Sequence, residues 1–413
     1  MCPPTTLTTL GAESRTQGAF YVPRFEVKID GANLPRNVLR DVRSLTYQDS
    51  VDSIDSFQLE VNNWDEVDRS FRYIGSETAA ELTPGNAAYT RRTLFEPCGK
   101  EVELRMGYGE STQLVPMLKG HFTTMKPAFT DGGAILTVTG LNVLHQLRRK
   151  QYTTTWTDKR DSEIARDLAQ RTDAGTKRFP LPIVIDQNAM GDEKPVPLVT
   201  QRNQYDIDFL FQRARVRGYV VFIQEADTST GRPRQLYFGP SQPGMIPGLR
   251  QVEFRLTWGR SLIEFQPKLT TANQVRQVTV RGWHRTRKQL ITRTVTLDDP
   301  RIRINTDLYR VLNACDPHEE IVVDEPVFTN CQARERAIAI LRDQTKQIVT
   351  ATGVKVVGLP DLRSGQVVTI DGVGARLSGE YFVTKTTHTI DDNGYLTTFD
   401  CRREQYAHHG GGR

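Results

Sequence analysis

The chain of 413 residues states one strand pattern twice. Gly120-His121-Phe122-Thr123-Thr124-Met125-Lys126 leads through Phe129-Thr130-Asp131-Gly132-Gly133 to Ile135-Leu136-Thr137-Val138. Gly379-Glu380-Tyr381-Phe382-Val383-Thr384-Lys385 leads through His388-Thr389-Ile390-Asp391-Asp392-Asn393-Gly394 to Leu396-Thr397. In each copy an aromatic residue follows the glycine by two positions and a lysine by six. Upstream, Gly99, Val102, Leu104, Gly107 and Gly109 line up with Gly365, Val368, Ile370, Gly372 and Gly374. Alternating runs bounded by Asp/Asn-Gly turns are strand and hairpin signals. A duplicated β-module presents two similar surfaces from one chain, so three chains can imitate a ring of six.

The length is too great for one ordinary domain, so two to four units are expected. The net charge of +5 comes from 54 basic and 49 acidic residues. That small excess argues against a nucleic-acid-binding function. No apolar run of membrane-spanning length occurs, so no membrane insertion is expected. The N-terminus lacks the basic start and apolar stretch of a signal peptide, so synthesis and folding in a reducing cytosol are expected. Cys2, Cys98, Cys315, Cys331 and Cys401 are odd in number and widely spaced, with no CxxC. Neither a disulfide framework nor a zinc site is indicated.

Residues 1–19 read as a flexible arm, and 20–148 as a first β-barrel with an insertion loop at about 64–96. Residues 149–250 read as an α/β domain. In it, Asp161-Ser162-Glu163 opens a helix with Ile164 and Leu168 on one face. A second helix starts at Asp206, expected to cap its first turn, and ends at Gly218 before the strand from Tyr219. Residues 251–283 with 350–403 read as a second β-barrel. It is split by inserted strands and a helix at 284–349, where Ala333, Ala337, Ile340 and Leu341 face inward. Residues 404–413 read as a disordered tail. The fold class expected is mainly β with α+β additions.

Chemistry is sparse. No HExxH, Gly-x-Ser-x-Gly or P-loop pattern occurs. His121, His145, His284 and His388 have no second ligand type at metal spacing. The carboxylate pairs Asp206/Asp208 and Asp391/Asp392 have capping and turn roles open to them before any acid–base role. Arg213, Arg215 and Arg217 read first as a solvated or salt-bridged helix surface, and second as an anchor for a neighbouring subunit. No catalytic residue, cofactor or metal is expected.

The segment Asp206, Phe209, Leu210, Arg213-Ala214-Arg215, Gly218, Tyr219 resembles the phage late-control D, VgrG and tail-hub family. Asp161-Ser162-Glu163-Ile164-Ala165, Val278-Thr279-Val280-Arg281-Gly282-Trp283 and the block from Ala333 through Gly358-Leu359-Pro360 to His388 are similar to further family segments, in the same order. The likeness spans roughly residues 20 to 403. It implies a trimeric, ring-shaped central hub of a contractile tail or injection particle, with two tandem barrels per chain and pseudo-six-fold symmetry. The hub would join a hexameric inner tube to a trimeric spike and sit among baseplate wedge proteins. Fused members continue into further domains and a needle, so here the spike is expected on a separate polypeptide. A tail-tip protein of a non-contractile phage and a tail-associated wall hydrolase are the alternative readings. The interface residues expected are the first-strand edges and the hairpins Asp131-Gly132-Gly133 and Asp392-Asn393-Gly394.

Overall fold

A computed structural model describes residues 5–7, 22–109, 114–131, 133–226, 231–241, 252–272, 274–302, 304, 306–314, 318–324 and 327–404. Of the expected disordered tail at 404–413 only Glu404 is described, and it is buried, accepting from Ser241 and paired with Arg402. The rest of the tail and most of the expected arm at 1–19 lie outside the described residues. Within the arm, Thr5–Leu7 (β1) is a strand.

The first module holds β2 (Pro23–Ile29), β3 (Val42–Ser50), β4 (Ser56–Asn62), β5 (Glu101–Tyr108), β6 (Val115–Thr130) and β7 (Gly133–Asn142). Their antiparallel order in space is β2-β5-β6-β7-β4-β3. Period-two alternation sends Val27, Leu59, Leu104, Leu136 and Val138 inward, where they are buried. The stretch 64–96, expected as an insertion loop, adds Tyr73 and Phe95 to the same core.

The α/β unit holds β8 (Tyr152–Lys159), α1 (Asp161–Gln170), β9 (Ile183–Ile185), β10 (Val196–Gln204), α2 (Asp206–Arg217), β11 (Tyr219–Gln224) and β12 (Gln235–Pro240). Ile164 and Leu168 of α1 pack with Phe209 and Leu210 of α2 in one core, and Trp156 stacks on Phe209. Gly218 ends α2 in the left-handed conformation at φ 69°.

The second module holds β13 (Val252–Thr257), β14 (Leu262–Glu264), β15 (Pro267–Leu269), β16 (Gln277–His284), β17 (Gln289–Thr296), β18 (Glu319–Val322), α3 (Asn330–Thr345), β19 (Val349–Val357), β20 (Val367–Asp371), β21 (Gly379–Asp391) and β22 (Gly394–Arg402). Thr329 caps α3 with Gln332 in a reciprocal capping box. Ala333, Ala337, Ile338 and Leu341 are buried, whereas Ile340, expected inward, is only partly buried against the core. Strands β17-β16-β18 form a separate small sheet. The order of the rest is β13-β20-β21-β22-β19, with β14 and β15 on the outer side of β19.

The molecule is mainly β, as expected, but among the described residues neither module closes into a barrel. Strand β3 does not return to β2. It gives its outer edge to β21 of the other module, from Lys385 opposite Ser50 to Ile390 opposite Leu45. A strand has only two edges, so this pairing prevents closure and fuses the modules into one 15-stranded sheet. Ile390 and Tyr395 of the second module are accordingly buried in the first module's core. Val51, Val220, Phe222, Tyr237 and Phe382 form a small cluster where the three units meet. Each such buried aromatic or aliphatic side chain contributes about 1.5–3 kcal/mol.

Candidate functional site

Strand pairing fixes which residues of the two modules correspond. Thr123 bulges out of the β6–β7 ladder and Thr384 out of the β21–β22 ladder. Counting from these bulges, Thr124 corresponds to Lys385, Phe129 to Ile390 and Gly133 to Gly394. The two hairpin glycines have φ of 114° and 113°. Val102 and Leu104 correspond to Val368 and Ile370, as the sequence repeat indicates. Gly99 and Gly365 share φ of 86° and 85°. The lead glycines do not correspond: Gly120 falls beside Tyr381, two residues past Gly379. A Cβ on Gly120 would lie 2.0 Å from the Leu141 carbonyl oxygen, so a close crossing of strands demands that glycine. Gly379 is demanded by its φ of 137°.

The equivalence extends outward. β4 corresponds to β19, and β3 to β14 plus β15. Val42 opposite Val61 and Ser44 opposite Glu60 flank a bulge. Leu262 opposite Val356 and Glu264 opposite Lys355 flank another at the same place. Tyr47 corresponds to Pro267 and Asp49 to Leu269.

A buried polar cluster locks the modules together. Arg363, on the loop before β20, donates from Nε to Asp49 Oδ2 at 2.6 Å. Its Nη1 reaches the Pro116 carbonyl at 3.3 Å and its Nη2 the Met117 carbonyl at 3.0 Å. Nη2 also donates to the Tyr47 hydroxyl. Asp49 accepts in addition from the Thr386 hydroxyl and the Ser364 amide. Asp55 accepts from Asn142 Nδ2 at 2.8 Å. Burial, with the Asp49 charge, pushes the Asp55 carboxyl up to about 7. His388 Nε2 donates to the Leu362 carbonyl at 2.9 Å, leaving Nδ1 to accept from the Tyr395 hydroxyl. Burial pushes His388 down to about 4. Its role is structural.

The residues of the family-like motif face inward. Asp206 is the first residue of α2 and not its cap; the N-cap is Tyr205, without a side-chain cap bond. The Asp206 carboxylate instead accepts from Arg178 Nε at 2.8 Å and from Gln201 at 2.8 Å. A buried cation within bidentate reach outcompetes the free helix amides for this carboxylate. Arg213 and Arg217, one turn apart, both grip the buried Asp161 of α1, at 2.6 and 2.5 Å. Burial pushes the Asp161 carboxyl up, but the two guanidiniums more than offset this and hold it below the usual range. Tyr219 donates to Glu193 at 3.1 Å. Phe209 and Leu210 are core residues, and Arg215 is the motif side chain left exposed.

The hairpin residues stand at the surface. Asp131, Gly133, Asp392 and Asn393 are exposed and Gly394 is half-buried; Gly132 lies outside the described residues. Asp391 Oδ1 accepts from the Asn393 amide at 2.8 Å and shapes the second tip. The surfaces that sequence reasoning missed are two strand edges. On β6, pairing with β5 ends at His121, and no described strand pairs with this side beyond it. On β15 the side away from β19 is likewise unpaired. Exposed Phe129, Ile263 and Leu269 mark these edges and are the signal in the sequence. Among the described residues no group of three or more His, Cys, Asp or Glu side chains is placed to hold a metal ion, and no helix is long and apolar enough to cross a membrane.

The fold is shared with solved tail proteins and a secretion-system component. The chain is similar to the 43 kDa tail protein of prophage MuSo2 from Shewanella oneidensis, at 15% identity and TM-score 0.61, covering 92% of this chain and 98% of that one. It is similar to a tail protein from Neisseria meningitidis MC58, at 13% identity and TM-score 0.60, covering 93% and 97%. An Escherichia coli component of the type VI secretion system, itself described as similar to bacteriophage T4 tail proteins, matches at 12% identity and TM-score 0.52 over 94% of this chain and 78% of that one. No curated protein matches. The family model described as the Alg8 N-terminal domain matches residues 21–392, nearly the whole two-module fold, and the chain belongs to that family.

Proposed function

We propose that the chain is a structural hub of a phage tail or a tail-like injection particle, and works without catalysis. Three copies would close into a ring of six modules, with one face meeting a six-fold inner tube and the other a three-fold spike. The observation that carries this reading is the junction of β3 with β21, which joins two equivalent modules edge to edge within one chain. A chain of two such units supplies near-six-fold surface chemistry under three-fold symmetry. The fold shared with tail proteins and with a type VI secretion component supports the same role. The two hairpin tips, at equivalent places on β6–β7 and β21–β22, are the contacts expected to meet the tube. The buried ion pairs around Asp161 and Asp49 serve rigidity, which an adaptor between two symmetries needs.

The reading is tested by mixing the full chain with the tube and spike proteins of its own particle. A three-copy complex that binds both supports it. A chain that stays monomeric with both partners present, or that hydrolyses peptidoglycan, contradicts it.

A further inference from the structure

We infer that neighbouring copies of this chain join through the unpaired edges of β6 and β15, repeating between chains the junction that β21 and β3 make within one chain. The inference rests on the ring proposed above and specifies its seam. Inside the chain, β21 pairs on one side with β20 as far as Phe382 and then with β3 from Lys385 to Ile390. The equivalent β6 pairs with β5 as far as His121, takes one further bond from the Cys98 amide to the Phe122 carbonyl at 3.1 Å, and then pairs with no described strand. β14 and β15, the equivalents of β3, pair with β19 and offer their outer edge. Each chain therefore has one satisfied junction and the two halves of a second.

Transferring the observed register gives the pairing. Lys385 opposite Ser50 becomes Thr124 opposite Thr270 of the next copy, and Ile390 opposite Leu45 becomes Phe129 opposite Phe265. Exposure agrees. Ile390 is 8% exposed inside its junction, whereas its counterpart Phe129 is 55% exposed. Asp49 is 4% exposed and its counterpart Leu269 38%. An apolar residue at each half, open in the single chain, is what an unmade contact leaves behind.

The transferred seam is weaker than its model in two ways. His388 opposite Tyr47 becomes Pro127 opposite Pro267, and proline has no N–H to donate. Thr387 opposite Gln48 becomes Lys126 opposite Lys268, a like-charge pair. Edge prolines and lysines are also what keep an exposed strand from pairing indiscriminately. Side-chain contacts at Phe129 and Leu269 and ring closure would then carry the seam. Each contact is head-to-tail, so it closes only when the last copy meets the first.

The Val51 amide donates to the Thr384 carbonyl at 3.0 Å, which makes Gln48 and Thr387 a pair without mutual hydrogen bonds. Such pairs bring Cα atoms to about 4.5 Å, a separation a disulfide can bridge. The test is Lys126→Cys with Lys268→Cys in the full chain, with Cys2, Cys98, Cys315 and Cys331 changed to Ser and the buried Cys401 kept, oxidised in air at high concentration. Both lysines are exposed, so the fold should be unaffected. Disulfide-linked dimers and trimers are expected, and neither single-cysteine chain should give the trimer. In parallel, Phe129→Glu is expected to weaken self-association at least ~10-fold, more than the modest fall in urea midpoint from losing its edge contact with Phe71 accounts for. A three-copy particle by light scattering that never cross-links, or that tolerates Phe129→Glu, overturns this seam and leaves the hub reading standing. A chain that stays monomeric with its tube and spike partners overturns both.

Discussion

Arg363 and Asp49, 314 positions apart, meet in a 2.6 Å ion pair that closes over the seam between the two modules. Asp49 sits on β3 of the first module, and Arg363 on the loop that leads into β20 of the second. The guanidinium also donates to two carbonyls of β6, so one side chain ties two strands of the first module to the second.

Arg363→Ala should therefore be severe. It leaves Asp49 buried without its cation, which typically costs about 3–5 kcal/mol. Urea unfolding of the single chain checks this. Arg363→Lys should recover only part of the loss, because an ammonium cannot donate along the same fork.

The Arg-Ala-Arg stretch of α2 separates two kinds of arginine. Arg213→Ala should cost about 3 kcal/mol, because Asp161 is fully buried and loses one of its two cations. Arg215→Ala should change stability by no more than about 0.5 kcal/mol, because its side chain is exposed. Thermal denaturation of the two variants gives the comparison, and equal losses would contradict the assignment.

Two buried groups at the seam pull stability in opposite directions with pH. The native pKa of Asp55 is raised from 3.8 to about 7, so its contribution is full below pH 4 and is lost as pH rises toward 7. The native pKa of His388 is lowered from 6.5 to about 4, so its contribution is full above pH 6.5 and is lost as pH falls toward 4. Asp49 and Arg363 face both groups. Asp55→Asn should thus make the protein more stable at pH 8 relative to the parent than at pH 4. Urea midpoints at the two pH values read this directly.

The repeat was legible in the sequence because its alternation and turn glycines are local signals. Gly99 with Gly365, and Val102 with Val368, were matched correctly on those signals. The register of Gly120 was not. Its glycine answers a crossing with Leu141, whereas Gly379 answers a backbone angle, and identical letters concealed the difference. Closure was misread for a related reason. Whether β3 pairs with β2 or with β21 is decided by a contact across more than 300 positions, which no local pattern encodes. The motif around Asp206 marked the right helix, but its charges are satisfied by Arg178 and Asp161, whose positions only the folded chain supplies.

Gly120→Ala and Gly394→Ala extend that distinction. The first should cost several kcal/mol, since a Cβ would overlap the Leu141 carbonyl. The second meets no atom within 4 Å but holds φ at 113°, so strain alone should cost about 1–3 kcal/mol. A larger loss at Gly394 than at Gly120 would reverse the argument.

The most direct test of the account is electron microscopy of the full chain assembled with its tube and spike proteins. The account predicts a ring of three copies in which six modules alternate around the axis, with the β3–β21 junction and a second junction of the same form between copies. A two-fold dimer, or a ring in which the two modules of one chain lie at unrelated radii, would contradict it.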